Sequence, residues 1–209
     1  MNTSIISAYD ISTDVEKDIL EAFNALKSMY LVEIDTDFTF RIKNFSSFHD
    51  KDLNYLGPVI KCSSGKHYIH INYLELILPE MGRASNNSLT YQVWATMDLK
   101  REYPRIIIRT ETMLDKIHEL INPIELDFIK DKEFSKKFFV LTEDRQKTEL
   151  LLNPSFRNAI LEIDEDEIVI EIKGSQLIIG NKKSITTGFA INASKFLFKL
   201  HSLLKNNNH

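Results

Sequence analysis

One cysteine, one tryptophan, six glycines and five prolines are spread through 209 residues. With Cys62 alone there is no internal disulfide, so the chain is not a disulfide-stapled scaffold. Gly and Pro at this level exclude collagenous and low-complexity classes. No window approaches the ~18 consecutive apolar residues of a spanning helix, because Lys, Asp, Glu or Asn interrupts every hydrophobic run. The N-terminus lacks a basic stretch followed by an apolar one, so the expectation is a chain without a secretory signal, placed in the cytoplasm and at most associated with a membrane surface. A formal net charge of −4 and a pI near 5.9 remove the global electrostatic reason to expect nucleic acid as a partner.

Chemical signatures are also scarce. There is no Gly-x-Ser-x-Gly elbow and no Gly-x-Gly-x-x-Gly fingerprint. Ser63-Ser-Gly-Lys-His67 has a lysine after a glycine, but Ile60 stands where a phosphate loop needs its first glycine and His67 where it needs Ser or Thr. A hairpin turn is the better reading. His67 and His70 are three apart on an extended strand and point to opposite faces, which does not suit a shared zinc ion. Glu33, Asp35 and Asp37 do share a strand face, as a cation or a carboxylate pair would need, yet they are also the polar half of an alternating pattern. The sequence therefore implies no metal and no cofactor.

What is present is a globular balance, 43% hydrophobic and 27% charged, in a chain long enough to bury about 70% of its unfolded surface. Thr13-Asp-Val-Glu16 forms a capping box, and Ile19, Leu20, Phe23, Leu26, Met29 and Tyr30 follow at helical spacing. The period then changes to two. Val32, Ile34, Thr36, Phe38, Phe40 and Ile42 alternate with polar residues and predict a half-solvated strand of an antiparallel sheet. After a loop or short helix to Leu56, Val59–Cys62 and His67–Leu78 predict a hairpin, with an exposed turn over 79–88. Leu89–Met97 and, after Pro104, Arg105–Arg109 predict two more strands, with Trp94 half exposed on the first. Thr112–Leu120 has helical spacing and ends at Asn122-Pro123.

Further on, a strand is expected near Lys137–Leu141, a helix over Glu143–Leu152, and a second helix capped by Asn153 with Pro154 in its first turn. Glu167–Lys173 and Gln176–Ile179 read as a hairpin about Gly174-Ser175, and Asn192 as the cap of a final helix to about Leu204. The fold class is α+β: a mainly antiparallel sheet packed by an N-terminal helix, short central helices and a C-terminal helix. A single domain over 1–209 is expected, Asn122-Pro123 being the place where a strand-rich part, 1–123, could divide from a mixed part, 124–209.

One feature is not bland. Residues 173–209 contain six lysines and no acidic residue, leaving 20 basic and 30 acidic residues in the rest. On the final helix Phe196, Leu197, Leu200, Leu203 and Leu204 fall in one arc, with Lys195, Lys199 and Lys205 opposite and Phe198 among the lysines. A lysine-framed aromatic suits a helix that meets an anionic membrane surface or a partner groove. The simpler account is a leucine arc docked on the protein's own core with its lysines in water.

Leu126-Asp-Phe128, then Asp131-Lys-Glu-Phe-Ser-Lys-Lys-Phe-Phe-Val-Leu141, Asp144 and the helical run to Leu152-Asn-Pro-Ser-Phe156 resemble a block in bacterial proteins known as a domain of unknown function. An acidic-Phe lead-in, a Glu-Phe-x-Lys-Arg-Phe-like core, a hydrophobic strand, an acidic turn and a helix ending near Pro mark that block. Lys137 stands where arginine is common there. The likeness spans roughly residues 103–180 and implies structural roles: Phe128, Phe134, Phe138 and Val140 as apolar anchors and Asp144 as a helix cap. It implies no catalytic residue. Many such relatives carry membrane segments ahead of the block, which suggests a membrane-proximal setting.

Two functional expectations follow. The first is a non-enzymatic module that meets a protein or an anionic membrane surface through Lys195, Phe198, Lys199 and Lys205. The second is a hydrolase or transferase with its site between sheet and helices, drawing on groups such as Glu75, His70 or Asp98.

Overall fold

The computed structural model describes residues 13–39, 42–49, 51–78, 88–110, 123–183 and 185–206. The helix expected over Thr112–Leu120 and all but the last residue of the turn expected over 79–88 lie outside the described residues; that last residue, Ser88, is in a strand. Among those described, five helices and an eight-stranded antiparallel sheet form an α+β fold. In chain order they are α1 (Thr13–Met29), β1 (Leu31–Asp35), β2 (Asp52–Tyr55), β3 (Val59–Ser64), β4 (His67–Leu78), β5 (Ser88–Thr110), β6 (Ile124–Leu126), α2 (Lys132–Lys137), β7 (Phe138–Thr142), α3 (Arg145–Leu151), α4 (Pro154–Leu161), β8 (Ile168–Asn181) and α5 (Thr187–Asn206). Two 3₁₀ turns, Ile42–Asn44 and Ser46–Phe48, precede β2.

The sheet runs β1-β3-β4-β5-β7-β6, with β2 added to β4 and β8 to β5. β5 organises it. One edge of this 23-residue strand pairs first with β4 and then, from Ile106, with β7, while β8 follows the other edge. The sequence pattern predicts two strands separated by Pro104, and a hairpin over 167–179. Instead β5 and β8 each run through as one strand. The interruptions are accommodated as register shifts: four residues, 99–102, lie between the pairs Asp98↔Gln176 and Tyr103↔Gly174, opposite Ser175 alone. The extra residues belong to β5, and Gly174, at φ +59°, pairs with Tyr103 within β8 rather than forming a hairpin tip.

One face of the sheet is covered by helices. Ile19, Ala22 and Leu26 of α1 and Phe189, Ala193, Phe196, Leu197 and Leu200 of α5 pack with Ile60, Ile69, Ile71, Val93, Ala95, Ile106, Ile170 and Ile179 in the main core. Leu20 and Met29, placed by periodicity in the α1 stripe, are exposed. Cys62 lies in this core, and burial pushes its thiol up to about 12, which leaves it unreactive in the folded chain. On the opposite face a smaller cluster joins Ile42, Phe45 and Phe48 of the 3₁₀ segment to Leu53, Leu74, Leu76, Trp94, Val169 and Ile178. Trp94 is 1% exposed, not half exposed. Its ring meets Phe48 edge-on at 4.6 Å, and its indole N–H donates to Gln92 Oε1 at 3.0 Å.

Other boundaries differ for local reasons. The strand expected to reach Ile42 ends at Asp35, whose carboxylate accepts the Asp37 amide at 3.0 Å and turns the chain. Ile42 enters the smaller core instead. α5 begins at Thr187, not at Asn192. The Thr186 hydroxyl accepts the Phe189 amide at 3.2 Å, and Asn192, inside the helix, donates to Glu165 at 3.2 Å. Asp144 and Asn153 do cap α3 and α4, accepting amides from Lys147 and Phe156. Phe134, Phe138 and Val140 are buried in the main core.

Candidate functional site

The β5 register shift opens a cleft. Where β5 leaves β4, after the pair His70↔Thr96, and before it meets β7 at Ile106↔Thr142, its residues 98–103 line a cavity of about 450 Å³ with α3 and the end of α5. Of its lining residues, Leu99 and Leu151 are buried and Tyr103 and Leu204 half-buried. Leu150, 78% exposed, stands at the lip. Lys100 and Arg101 come from the shifted segment of β5, Lys147 from α3 and Lys205 from α5, set against two carboxylates, Asp98 and Glu102. Lys147 also reaches Asp144 at 3.4 Å, which leaves its side chain 71% exposed.

His201 closes one end of this cleft. Its Nε2 lies 3.3 Å from the Tyr68 carbonyl and its ring stacks on His67 at 4.6 Å. Burial holds its pKa below the ordinary value despite that carbonyl, and the neighbouring His67 and Lys100 act in the same direction as burial. A neutral imidazole then donates Nε2–H to the Tyr68 carbonyl.

A second, more polar cavity of about 280 Å³ lies over the edge of β1, β3 and β4, lined by Asp35, Asp37, Lys61, Tyr68, His70 and Asp98 among others. His70 Nε2 is 2.8 Å from Asp35 Oδ2, and Phe38 packs on the imidazole at 4.8 Å. Burial lowers the His70 pKa, opposed by Asp35 and more weakly by Asp98, while Lys61 adds a small lowering effect. Of the carboxylates sharing the β1 face, Asp35 thus holds a histidine and Glu33 an ion pair with Lys61 at 3.8 Å. Among the described residues, no three of His, Cys, Asp and Glu converge as a metal ion would need.

The His70 arrangement predicts a pH dependence. Below its ordinary value of 6.5, the unfolded chain takes up a proton that folded His70 resists. Stability is therefore present above that pH and is lost as the pH falls through 6.5 and toward the lowered folded value. Denaturant midpoints are expected to fall between pH 7 and pH 5, and to fall less in His70→Gln. Equal slopes in the two proteins would place the effect elsewhere, His201 being the other histidine displaced in this direction among the described residues.

The helix residues singled out in the sequence meet different surroundings. Phe198 is half-buried, its ring 4.6 Å from Tyr30 after α1. Lys199 pairs with Glu162 at the end of α4, and Lys195 lines a small cavity beside it. Lys205 alone reaches the large cleft. Asp98 lines both cavities and His70 only the polar one, whereas Glu75 accepts from Asn54 at 3.0 Å in another part of the sheet. Lys100, Arg101 and Lys147 carry no signal in the sequence, since two separate elements, β5 and α3, bring them to one cavity and no spacing encodes that. No protein-family model matches the chain, and no significant likeness was found among curated proteins or solved structures. Among the described residues no helix is long and apolar enough to cross a membrane.

Proposed function

We propose that the protein is a recognition module whose working surface is the cationic cleft between the shifted segment of β5, α3 and the end of α5, and that its ligand or partner presents an acidic group there. The observation that carries this reading is that Lys100, Arg101, Lys147 and Lys205 line one cavity with the buried Leu99 and Leu151. Charge complementarity steers an acidic group to such a mouth, and apolar contact retains it. Docking on a protein or membrane surface through α5 as a whole draws less support, because Phe198 and Lys199 are already engaged with Tyr30 and Glu162. Membership in the bacterial family rests on the Leu126–Phe156 block alone and adds no activity to the reading.

The test is ligand-linked stability. Organic acids and short acidic peptides containing leucine are expected to raise the thermal midpoint of the wild-type chain, by an amount that shrinks as salt is added. Lys147→Glu combined with Lys205→Glu should abolish the shift, since both side chains are exposed and their reversal should leave the fold intact. A midpoint that no anion moves at low salt would retire the reading.

The alternative, a hydrolase or transferase, draws on the polar cavity. A neutral imidazole held by a carboxylate has the form of a general base. Turnover of an ester or phosphoester panel that disappears in His70→Gln would favour it.

A further inference from the structure

We infer that the polar cavity over β1, β3 and β4 binds a small aliphatic diamine, one ammonium group meeting Asp37 and the other Asp98. This goes beyond the recognition reading, since the cavity shares only Asp98 with the large cleft. The first argument is the charge account. Asp35, Asp37 and Asp98 line the cavity with one cation, Lys61. That lysine is answered from outside the lining, by Glu33 at 3.8 Å. Asp35 is committed to the His70 imidazole at 2.8 Å. Among the described residues no Lys, Arg or His forms an ion pair with Asp37 or Asp98. Two carboxylates of one cavity thus face no cation of the protein, and a dication matches them.

The second argument is placement. Asp37 follows the end of β1 and Asp98 lies on β5, with β3 and β4 between those strands in the sheet. Among the described residues no three of His, Cys, Asp and Glu converge as a metal ion would need. Separated carboxylates select a molecule with two separated ammonium groups over a single divalent ion. A volume of about 280 Å³ lies at the foot of the range of small-molecule sites, which suits a short chain.

The third argument is the chemistry of the walls. Phe38 packs on the His70 ring at 4.8 Å, and Tyr68 stands edge-on to it at 5.5 Å. Such rings offer apolar surface to methylenes and π faces to an ammonium group, and Lys61 Nζ already rests 5.1 Å from the Tyr68 centroid. Thr96 supplies an independent sign of a ligand. It is the cross-strand partner of His70 and stands two positions before Asp98 on β5, so alternation turns it to the face that the cavity covers. Thr96 is 0% exposed, and its hydroxyl has no hydrogen-bond partner. An unmade bond at a buried hydroxyl is costly, and an ammonium group at Asp98 brings the donor.

The experiment is calorimetric titration of the whole chain at pH 8 and low ionic strength with putrescine, cadaverine, butylamine and magnesium chloride. One diamine should bind per chain, about tenfold or more tightly than butylamine or magnesium. Asp37→Asn and Asp98→Asn, changes at exposed positions, should each reduce putrescine to the level of butylamine with the thermal midpoint unchanged. Thr96→Val, which replaces the unpartnered hydroxyl by a methyl, should weaken putrescine about threefold or more without lowering that midpoint. Glu75→Gln removes a carboxylate in another part of the sheet and should leave the affinity as it was. Equal affinities for putrescine and butylamine, or for putrescine and magnesium, would reveal a diffuse counter-ion cloud and overturn the inference. Putrescine binding that survives Asp37→Asn, Asp98→Asn or Thr96→Val, or that falls equally in Glu75→Gln, would overturn it as well.

Discussion

Gly180→Ala is expected to be among the most damaging single-methyl additions in the protein. Gly180 is the cross-strand partner of Trp94, and a Cβ there would stand 2.3 Å from Cδ2 and 2.4 Å from Cε2 and Cε3 of the indole. The ring has no easy retreat. It is 1% exposed, packs edge-on against Phe48, and its N–H is committed to Gln92, while Asn72 donates to the Trp94 carbonyl at 3.1 Å. Making room means displacing the indole and with it the 3₁₀ turn that carries Phe48. Overpacking of a tight core costs about 1–3 kcal/mol, and an overlap this deep belongs at or beyond the upper end. For a chain of this length that is a fall in Tm of about 6–12 °C. Trp94 is the sole tryptophan, so its emission should shift to the red in the variant under native conditions. A second measurement separates overlap from backbone effects: Trp94→Leu in the Gly180→Ala background should be less destabilised than the sum of the two single changes. Additive losses, or an unchanged midpoint, would refute the account.

That contact also shows why parts of the fold were legible and others not. Capping by Asp144 and Asn153 depends on a residue and the three positions after it, and both were readable from sequence. The β3–β4 hairpin closes on Gly65-Lys66 and was readable for the same reason. The continuity of β8 was not. Gly174-Ser175 has the composition of a hairpin tip, and only the presence of β5 along the whole length keeps the chain extended through it. Alternation likewise led Trp94 to the polar face of its strand, correctly, but that face is not solvent, because the 3₁₀ segment covers it. The candidate site was least legible of all. Lys205 was visible as part of a basic tail, whereas Lys100, Arg101 and Lys147 acquire meaning only when a register shift, a short helix and a helix end meet.

The largest electrostatic effect is expected at Glu171, whose side chain is 0% exposed on the face of β8 beneath the 3₁₀ segment. Alternation in an Ile-rich strand would assign this position to the core, and an unpartnered carboxylate there would be prohibitive. Its oxygens are instead surrounded by donors: the Ser46 amide and hydroxyl at 2.9 Å each, the Ser47 amide at 3.2 Å and hydroxyl at 3.3 Å, and Arg105 through Nε at 3.3 Å and Nη2 at 3.1 Å. Arg105 Nη2 also donates to the Ser46 hydroxyl. The carboxylate thereby ties residues 46 and 47 to strands β5 and β8, more than fifty residues away in sequence. Glu171→Gln retains the shape but turns an N–H₂ group toward donors, and Glu171→Ala leaves a buried guanidinium without this counter-charge. Removing one partner of a buried pair costs about 3–5 kcal/mol, and either change is expected to lie in that range by denaturant unfolding. The 3₁₀ segment loses four of its anchoring bonds at the same time, so cleavage within 42–56 by a dilute protease should accelerate under native conditions, as opening becomes more populated. Glu171→Met with Arg105→Met supplies the control. If desolvation and pairing nearly cancel in the wild type, the double variant recovers most of the lost stability, since an apolar pair replaces an ionic one of similar volume. A double variant no more stable than Glu171→Ala, with unaltered cleavage in 42–56, would mean that the carboxylate does not hold the segment in place.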